Sequence, residues 1–328
     1  MSHLLPTTAI GSLPHTALEP ALQLALMQSV PAVPQLPRLS PAEFMLSQAV
    51  EGFPGAKAEE GRVVVDLAAF EAGRGGLVER VEAALAGDLS PFEPSPQVWR
   101  AWRPFLWEVG HRQLRMAKAQ LAGPLTVQWA TTLDDGRPLS ERPDVASLLA
   151  RLVLVRALAM VRAIAATGAK PLFFFDEPGM YAYDKRRVGH VVDLQRLGLD
   201  LAALRQAGAL TGVHCCGQTD WAGLMALPLD VLSLDAGLSL DAVLALPALE
   251  GFLARGGRLA LGVVPTHTVD PAPVDEVIRS VRERLGDRAG AVLAGAFVTP
   301  ACGLALKSIP EAQNAYDALR LASRLLSA

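Results

Sequence analysis

Three residues have the side chains and the spacing of metal ligands. His214 and Cys216 are two positions apart in a short apolar run that predicts a β-strand. Because side chains alternate between the two faces of a strand, both point to one side and Cys215 points to the other. Cys302 follows a later strand-like run. One histidine and two cysteines supply the nitrogen and sulfur donors that Zn²⁺ accepts, in a closed structural site or a catalytic one.

Asp235 is a candidate fourth ligand, and the cysteines can also be interpreted as packed thiols. Asp235, at the end of the next strand-like run, offers a carboxylate oxygen. In a His-x-Cys pair by itself, the cysteine is more often a packed thiol beside a hydrogen-bonded histidine than a metal ligand. A further cysteine at another strand end, Cys302, favours a metal site. Cys215 predicts an ordinary buried thiol. With three cysteines in 328 residues, the sequence favours metal or catalytic use over disulfides.

Two further polar residues follow predicted strands. Asp176 comes after the apolar run PLFFF, where it either holds an amino group or caps the following helix. His267, in PTHT, is either a proton carrier near neutral pH or a surface histidine. The residues alone leave both choices open.

Eight β-rich apolar runs alternate with segments of helical period, the pattern of successive βα units and a parallel sheet. Eight such strands predict a single (β/α)₈ TIM barrel over residues 1–328, with its active site at the carboxyl ends of the strands. The runs are Thr7–Ser12, Val30–Gln35, Ala117–Thr126, Pro171–Asp176, Leu210–Cys216, Asp230–Asp235, Arg258–Val264 and Val292–Thr299. The clearest helical segments are Asp144–Ala166, Leu194–Ala207, Leu240–Ala254, Val274–Leu285 and Pro310–Ser327.

A long excursion, residues 36–116, separates the second and third predicted strands. It contains a possible hairpin at Arg62–Leu67 and three tryptophans, Trp99, Trp102 and Trp107. An insertion of this length is usually functional, although tryptophans most often dock a helix by packing. We expect the excursion to pack over or beside the barrel mouth rather than to form a separate domain.

Composition excludes several classes of protein. Hydrophobic residues make up 51% of the chain and charged residues 19%, which is typical of a folded protein with a large core. A net charge of −3 gives no electrostatic footprint for nucleic acid or an anionic membrane. No basic region precedes the first apolar residues, and no uncharged apolar run reaches about 18 residues. The sequence therefore predicts a cytoplasmic protein without nucleic-acid or membrane partners.

Seven motifs together resemble the catalytic barrel of cobalamin-independent methionine synthase. They occur in the order of that family, at about its spacing, and span nearly the whole chain: TTAIGSLP, AGPLTVQW, FFDEP, HCCG, DVLSLD, GVVPTHT and TPACGL. HCCGQT and SLD are also similar to the zinc methylcobamide:thiol methyltransferases and, more distantly, to uroporphyrinogen decarboxylase, which share the same superfamily.

The resemblance implies a zinc-dependent S-methyltransferase of methionine biosynthesis. Such an enzyme binds a thiol, homocysteine or an analogue, as the thiolate and transfers a methyl group to it. The residues implied are the zinc ligands His214, Cys216, Cys302 and Asp235, the substrate-binding residues Ser12, Asp176 and Trp129, and the proton relay His267.

Three differences from the family bear on the substrates. Asp235 stands where the family has the longer glutamate, so it either reaches zinc or leaves a position to water. Gln35 follows the second strand, where the family has a glutamate that binds substrate. The family's additional N-terminal barrel, which helps to hold folate, has no room in 328 residues. We therefore expect a methylfolate or methylcorrinoid donor, with presentation by a partner protein as one route.

Two alternatives remain from the sequence. A decarboxylase of the uroporphyrinogen type would need no metal and would grip an acidic tetrapyrrole with cations, yet no Lys or Arg precedes Arg38. A thiol- or corrinoid-binding protein without catalytic activity would use the same metal ligands, and His267 beside a complete ligand set favours turnover over it.

Overall fold

The computed structural model describes residues 4–59, 61–267 and 272–328. Its strands are β1 (Ala56–Glu59), β2 (Arg62–Val65), β3 (Met116–Ala122), β4 (Thr131–Leu133), β5 (Lys170–Asp176), β6 (Leu210–Cys215), β7 (Val231–Asp235), β8 (Arg258–Val264) and β9 (Phe297–Pro300). Its α-helices are α1 (Leu18–Ala25), α2 (Met45–Ala49), α3 (Leu67–Leu85), α4 (Trp102–His111), α5 (Pro124–Trp129), α6 (Pro143–Ala166), α7 (Val188–Gln206), α8 (Trp221–Ala226), α9 (Ala236–Leu244), α10 (Ala248–Ala254), α11 (Val274–Leu285), α12 (Ala289–Leu293) and α13 (Ile309–Ser327).

A curled parallel sheet of six strands forms the centre of the fold. Its strand order is β3-β5-β6-β7-β8-β9, and helices separate successive strands along the chain. The strands are buried on both faces because helices cover the outer face and the curl encloses the inner one. The parallel α/β architecture expected from the sequence is therefore present.

The first two predicted strands are joined to this sheet by isolated bridges. Segment 7–12 is bridged to β9 through Thr7 and Val298, and segment 30–35 is bridged to β3 through Ala32 and Lys118. Ser12 of the first segment pairs with the second segment. The structure thus contains a six-stranded sheet with two bridged segments between its edges, and the complete eight-stranded barrel stays a prediction.

The inner face of the sheet carries an apolar cluster of its own at the amino end of the strands. This inner cluster consists of Val30, Leu172, Phe174, Val231, Ala260 and Phe297. The larger core cluster lies between the sheet and the helices outside it. Polar inward-facing residues follow the inner cluster toward the carboxyl ends of the strands, where the predicted site residues lie.

The excursion packs against the rest of the chain through a second, small sheet and several helices. Its hairpin is formed by β1 and β2, so it begins earlier than the sequence suggested, and β2 pairs in parallel with β4, which follows α5. Buried Glu43 accepts the backbone N–H groups of Leu36 and Arg100. Trp99 and Trp102 are buried in the main core cluster, whereas Trp107 is 61% exposed. Two of the three tryptophans therefore dock the excursion by packing.

Several element boundaries differ from the sequence-based expectation, among them the start of α7, which lies at Val188 rather than Leu194. The third predicted strand ends at Ala122, because Pro124 occupies the first turn of α5. The predicted helix Leu240–Ala254 is two helices, α9 and α10, with Pro247 between them, since proline cannot continue a helix. The last predicted strand begins only at Phe297, after α12.

Among the described residues, no single helix is long and apolar enough to cross a bilayer. The pair α9 and α10 together has the required length and apolar composition, but the two helices are bent by 96° relative to each other.

Candidate metal centre

His214 lies in a row of three polar residues across the centre of the sheet. It is in register with Asp176 on β5 and with Ser233 on β7, so all three side chains project from the same face. The hydroxyl of Ser233 is 2.9 Å from Nδ1 of His214. This contact leaves the second ring nitrogen to face the site, as expected for a histidine ligand held by an outer partner.

His214, Cys216 and Cys302 converge at the carboxyl end of this face. One ring nitrogen and the two Sγ atoms lie within 4.8 Å of one another. Two sulfur or nitrogen ligands of one tetrahedral zinc are roughly 3.5 to 4 Å apart, given Zn–S and Zn–N bonds of about 2.3 and 2.0 Å. In the part of the chain that the structure describes, the buried Nε2 of His214 has no hydrogen-bond partner. The donor set, its separation and the free nitrogen fit zinc.

The two thiols affect each other's ionisation. A hydrogen bond from Cys302 and the nearby imidazole of His214 lower the pKa of Cys216. The same pairing, together with burial, raises the pKa of Cys302. A thiol whose ionisation is favoured in this way, beside an imidazole, is a ready ligand for a cation.

Cys215 lies on the opposite face of β6. It is fully buried within the main core cluster, and burial raises the pKa of its thiol to about 12. The alternation expected of a strand therefore separates two adjacent cysteines into a packed thiol and a member of the site.

The loop that carries Cys302 rests on Ser12. The N–H of Leu304 donates to the carbonyl of Ser12 at 2.9 Å. A Cβ on Gly303 would come within 2.2 Å of the Ser12 hydroxyl, so that hydroxyl occupies the space beside the glycine. Ser12, which the resemblance implies for substrate binding, therefore lies next to the cysteine loop.

Asp176 lies beside His214 with one carboxylate oxygen free. The residue is buried, and within the described ranges its Oδ1 has no hydrogen-bond partner. Burial raises the pKa of Asp176, while Lys118 and His214 act in the opposite direction. A buried carboxylate with an unsatisfied oxygen is costly unless a ligand or another cation meets it.

With this geometry, the chain was compared with known proteins. No curated protein and no protein-family model matches it. A solved structure that does match is a B12-independent methionine synthase from Shewanella sp. W3-18-1 in complex with selenomethionine. The two chains are 16% identical, the match covers 98% of this chain and 97% of that one, and the TM-score is 0.63.

This chain has the fold of that methionine synthase.

At this identity the likeness establishes the fold, and the activity has to be argued from the site.

Asp235 lies outside the group of three ligand atoms. Its Oδ1 accepts the N–H groups of Gly237 and Leu238 at 2.8 and 3.2 Å and so caps α9, while its Oδ2 is 3.8 Å from Nε2 of His267. His267 is 53% exposed. The structure thus brings Asp235 and His267 together, and Asp235 is not part of the group formed by the three candidate ligands.

Trp129 lies at the end of α5, beside a cleft of about 790 Å³ between α5 and α7. Its Nε1 donates to Asp193 at 3.0 Å, and the ring of His190 stacks on it with centroids 4.4 Å apart. Of the residues that the structure describes, none of the three candidate ligands lines this cleft. Trp129 is therefore partnered within the chain.

Three buried polar residues make contacts that the sequence did not predict. Glu177 accepts the backbone N–H groups of Leu125 and Thr126 and the Thr126 hydroxyl, so it caps α5, and burial raises its pKa to about 7. Gln35 donates to Gln48 of the excursion at 2.6 Å. Lys118, in the middle of β3, is fully buried. A lysine and a glutamine two positions apart in a strand of small and apolar residues were the signal available in the sequence.

Proposed function

We propose that this protein is a zinc-dependent methyltransferase that methylates a thiol, either homocysteine or a close analogue. The observation that carries the proposal is the convergence of His214, Cys216 and Cys302 around one point, with Nε2 of His214 free to coordinate. The fold shared with a B12-independent methionine synthase supports it. Zinc bound there would stabilise a coordinating thiol as the thiolate at neutral pH.

The residues around the ligands then divide the remaining work. Asp176, with its free Oδ1, binds the substrate's amino group, and the Ser12 segment binds the rest of its amino-acid part. In the transfer, the thiol sulfur forms a bond to the methyl carbon while the bond between that carbon and the donor breaks. His267 is exposed and delivers a proton to a donor nitrogen that leaves with the bonding electrons.

The donor is a methylfolate or a methylcorrinoid, and presentation by a partner protein belongs to the same proposal. Trp129 borders the 790 Å³ cleft, and with the ring of His190 stacked on it we propose that it forms an aromatic wall for a planar donor. We further propose that segments 7–12 and 30–35 complete an eight-stranded barrel within a single domain, with Asp235 or water as the fourth ligand.

Metal analysis of cysteine variants tests the ligand set. We expect about one zinc per wild-type chain, with Cys216→Ser and Cys302→Ser each losing most of it. Cys215→Ser is the matched control, since its thiol lies in the core, and it should keep the metal. Loss of metal in the control alone would contradict the assignment of faces. A wild-type protein that takes up no zinc would contradict the proposal.

Methyl transfer to homocysteine tests the reaction and separates the donors. Zinc-loaded wild type and His267→Ala would be assayed with methyltetrahydrofolate and with methylcobalamin. A general acid contributes about 10²- to 10⁴-fold, so His267→Ala should slow the folate reaction by that factor and change the corrinoid reaction little. No transfer from either donor to any of several thiols would favour a thiol-binding protein without catalytic activity.

A further inference from the structure

A lysine is buried on the inner face of the sheet, toward the amino end from the candidate ligands. Lys118 is 0% exposed and lies on β3 in register with Leu172, four positions before the register of Asp176. Its ammonium is 4.8 Å from the centre of the Phe174 ring, which belongs to the inner cluster. The charge therefore lies between the apolar end of the inner face and its polar end.

Neutral groups surround most of this ammonium. Nζ donates to the carbonyl of Ile10 at 2.8 Å and to Oε1 of Gln120 at 3.2 Å. These acceptors satisfy two of its three N–H donors but carry no compensating charge. Burial of an uncompensated ammonium is expensive, so an anion must act on it.

Asp176 is the carboxyl group that acts on Lys118, since it lies two residues after Phe174 on the same face of β5. Burial lowers the pKa of Lys118 while Asp176 acts in the opposite direction, and the net value is about 8. Burial raises the pKa of Asp176, and Lys118 favours its ionised form. No ion pair within 4.0 Å joins the two among the described residues, so the attraction acts through the intervening space. The buried Oδ1 of Asp176 has no hydrogen-bond partner among the described residues, so it is available to a ligand.

Lys118 also reaches the segment that carries Ser12. Its bond to the Ile10 carbonyl lies two residues before Ser12, and Gln120 fills the space beside Gly11, where a Cβ would be 2.1 Å from Nε2. One buried cation thus touches the backbone of the first segment and acts on the carboxylate of β5. Both are the groups proposed to hold an amino-acid thiol.

We propose that Lys118 is a positioning residue: its buried ammonium is the counter-charge of Asp176 and keeps that carboxylate oriented to bind the amino group of the thiol substrate. This inference rests on the proposed function. It makes the substrate an amino thiol, because an anion held in this way and left with a free oxygen selects a cationic group.

Thiol binding to cobalt-loaded protein tests the inference. The thiolate absorption band of cobalt held by Cys216 and Cys302 should increase when a substrate thiolate also binds, so the increase measures affinity for homocysteine and for 4-mercaptobutanoate, which lacks the amino group. Lys118→Met should weaken homocysteine by about 10- to 100-fold, the range for a hydrogen bond to a charged group, and change 4-mercaptobutanoate by less than about threefold. Lys170→Met, an exposed lysine on β5, is the matched control and should change neither.

The pairing with Asp176 has its own readout. The double variant Lys118→Met with Asp176→Asn should bind homocysteine no more weakly than Asp176→Asn alone, and Lys118→Arg should retain the preference for the amino thiol. Equal weakening of both thiols by Lys118→Met, or no change in homocysteine affinity, would overturn the inference.

The unfolding temperature of Asp176→Asn tests the pairing without a thiol-binding measurement. Asp176→Asn leaves Lys118 without its counter-charge and should unfold at a lower temperature than wild type. If Lys118→Met fails to fold, or if no thiol changes the cobalt band, this comparison decides the pairing, and wild-type stability in Asp176→Asn would refute it. A band in wild type that no thiol changes would count against the proposed function itself.

Discussion

Ser233 orients His214 from the neighbouring strand, and its removal should weaken metal binding. The 2.9 Å contact from its hydroxyl to Nδ1 fixes the ring with Nε2 toward the two thiols. Loss of such an outer partner typically costs 10- to 100-fold in metal affinity, and we expect that loss for Ser233→Ala. Competition with a chelator measures it.

A second buried serine provides the control for this prediction. Ser239 on α9 is equally buried, and its hydroxyl has no partner among residues that the structure describes. Ser239→Ala should keep wild-type affinity. Equal affinities for the two variants would show that the Ser233 contact does not orient the ligand.

Asp200, on α7 away from the candidate ligands, should make stability depend on pH. Burial raises its pKa from 3.8 to about 7, with Arg196 acting against that shift. The folded protein therefore keeps a proton that the unfolded chain loses between about pH 4 and 7, so stability falls as pH rises through that interval. Asp200→Asn removes this loss, which amounts to at most about 4 kcal/mol.

Denaturant unfolding at several pH values checks the Asp200 prediction. The difference in unfolding free energy between Asp200→Asn and wild type should grow from pH 4 to pH 7 and then level off. Exposed Glu250→Gln on α10 should give a nearly constant difference. A constant difference for Asp200→Asn as well would mean that the carboxylate ionises at its ordinary pKa.

Strand alternation made part of the site predictable at the level of single residues. The pattern His-Cys-Cys distinguished His214 and Cys216 from Cys215 because period two follows directly from strand geometry. Alternation could not show whether Asp235 binds a metal or caps a helix. A residue in either role lies after a strand and before a helix, as Asp235 does. The burial of Lys118 could not be predicted either, because it depends on residues that are distant in the chain.

At the scale of elements, the loop after β9 and segment 7–12 hold each other through a glycine. An added methyl at Gly303 would collide with the Ser12 hydroxyl. Gly303→Ala should therefore lower the unfolding free energy by about 1 to 3 kcal/mol and weaken metal binding through displacement of Cys302.

Removal of the opposing hydroxyl should reverse these effects. Ser12→Ala combined with Gly303→Ala leaves an ordinary contact, because the Ser12 Cβ is 3.5 Å from the added atom. Chelator competition and denaturant unfolding should both recover toward wild type. Gly251→Ala on α10 meets open space and should not destabilise. A double variant as weak as Gly303→Ala would locate the damage elsewhere.

Strands that are buried on both faces could be predicted from the sequence, whereas segments interrupted by proline or glycine could not. The runs of β5, β6, β7 and β8 were identified to within one residue at each end because strands covered on both faces are continuously apolar. Segment 30–35 makes only isolated bridges because Pro31 and Pro34 lack the N–H groups of a regular ladder. In segment 7–12, Gly11 has a φ of +144°, which interrupts the extended backbone.

At the scale of the whole molecule, closure of the barrel predicts slow amide exchange at the bridged segments. Leu13 donates its N–H to Gln35 at 2.9 Å, Val33 to Lys118 at 3.0 Å and Thr8 to Val298 at 3.0 Å. In a closed barrel these amides open only with the global unfolding of the protein.

Hydrogen exchange followed by NMR checks this closure. We expect the amides of Leu13, Val33 and Thr8 to exchange within about tenfold of the rate at Val213 in the central strand β6. Ala58 in the edge hairpin provides a faster comparison, since it is exposed to solvent on one side. Exchange of the three amides at the hairpin rate would indicate an open six-stranded sheet.

The inner cluster fills the amino end of the inner face with apolar side chains, which leaves the carboxyl end as the approach to the candidate ligands. Under the proposed function, a thiol and its methyl donor would pass through that one opening. A donor that entered second would cover the thiol, and the spent donor would have to depart before the methylated product. Six apolar side chains distant from the chemistry would then set the order in which substrates arrive and products leave.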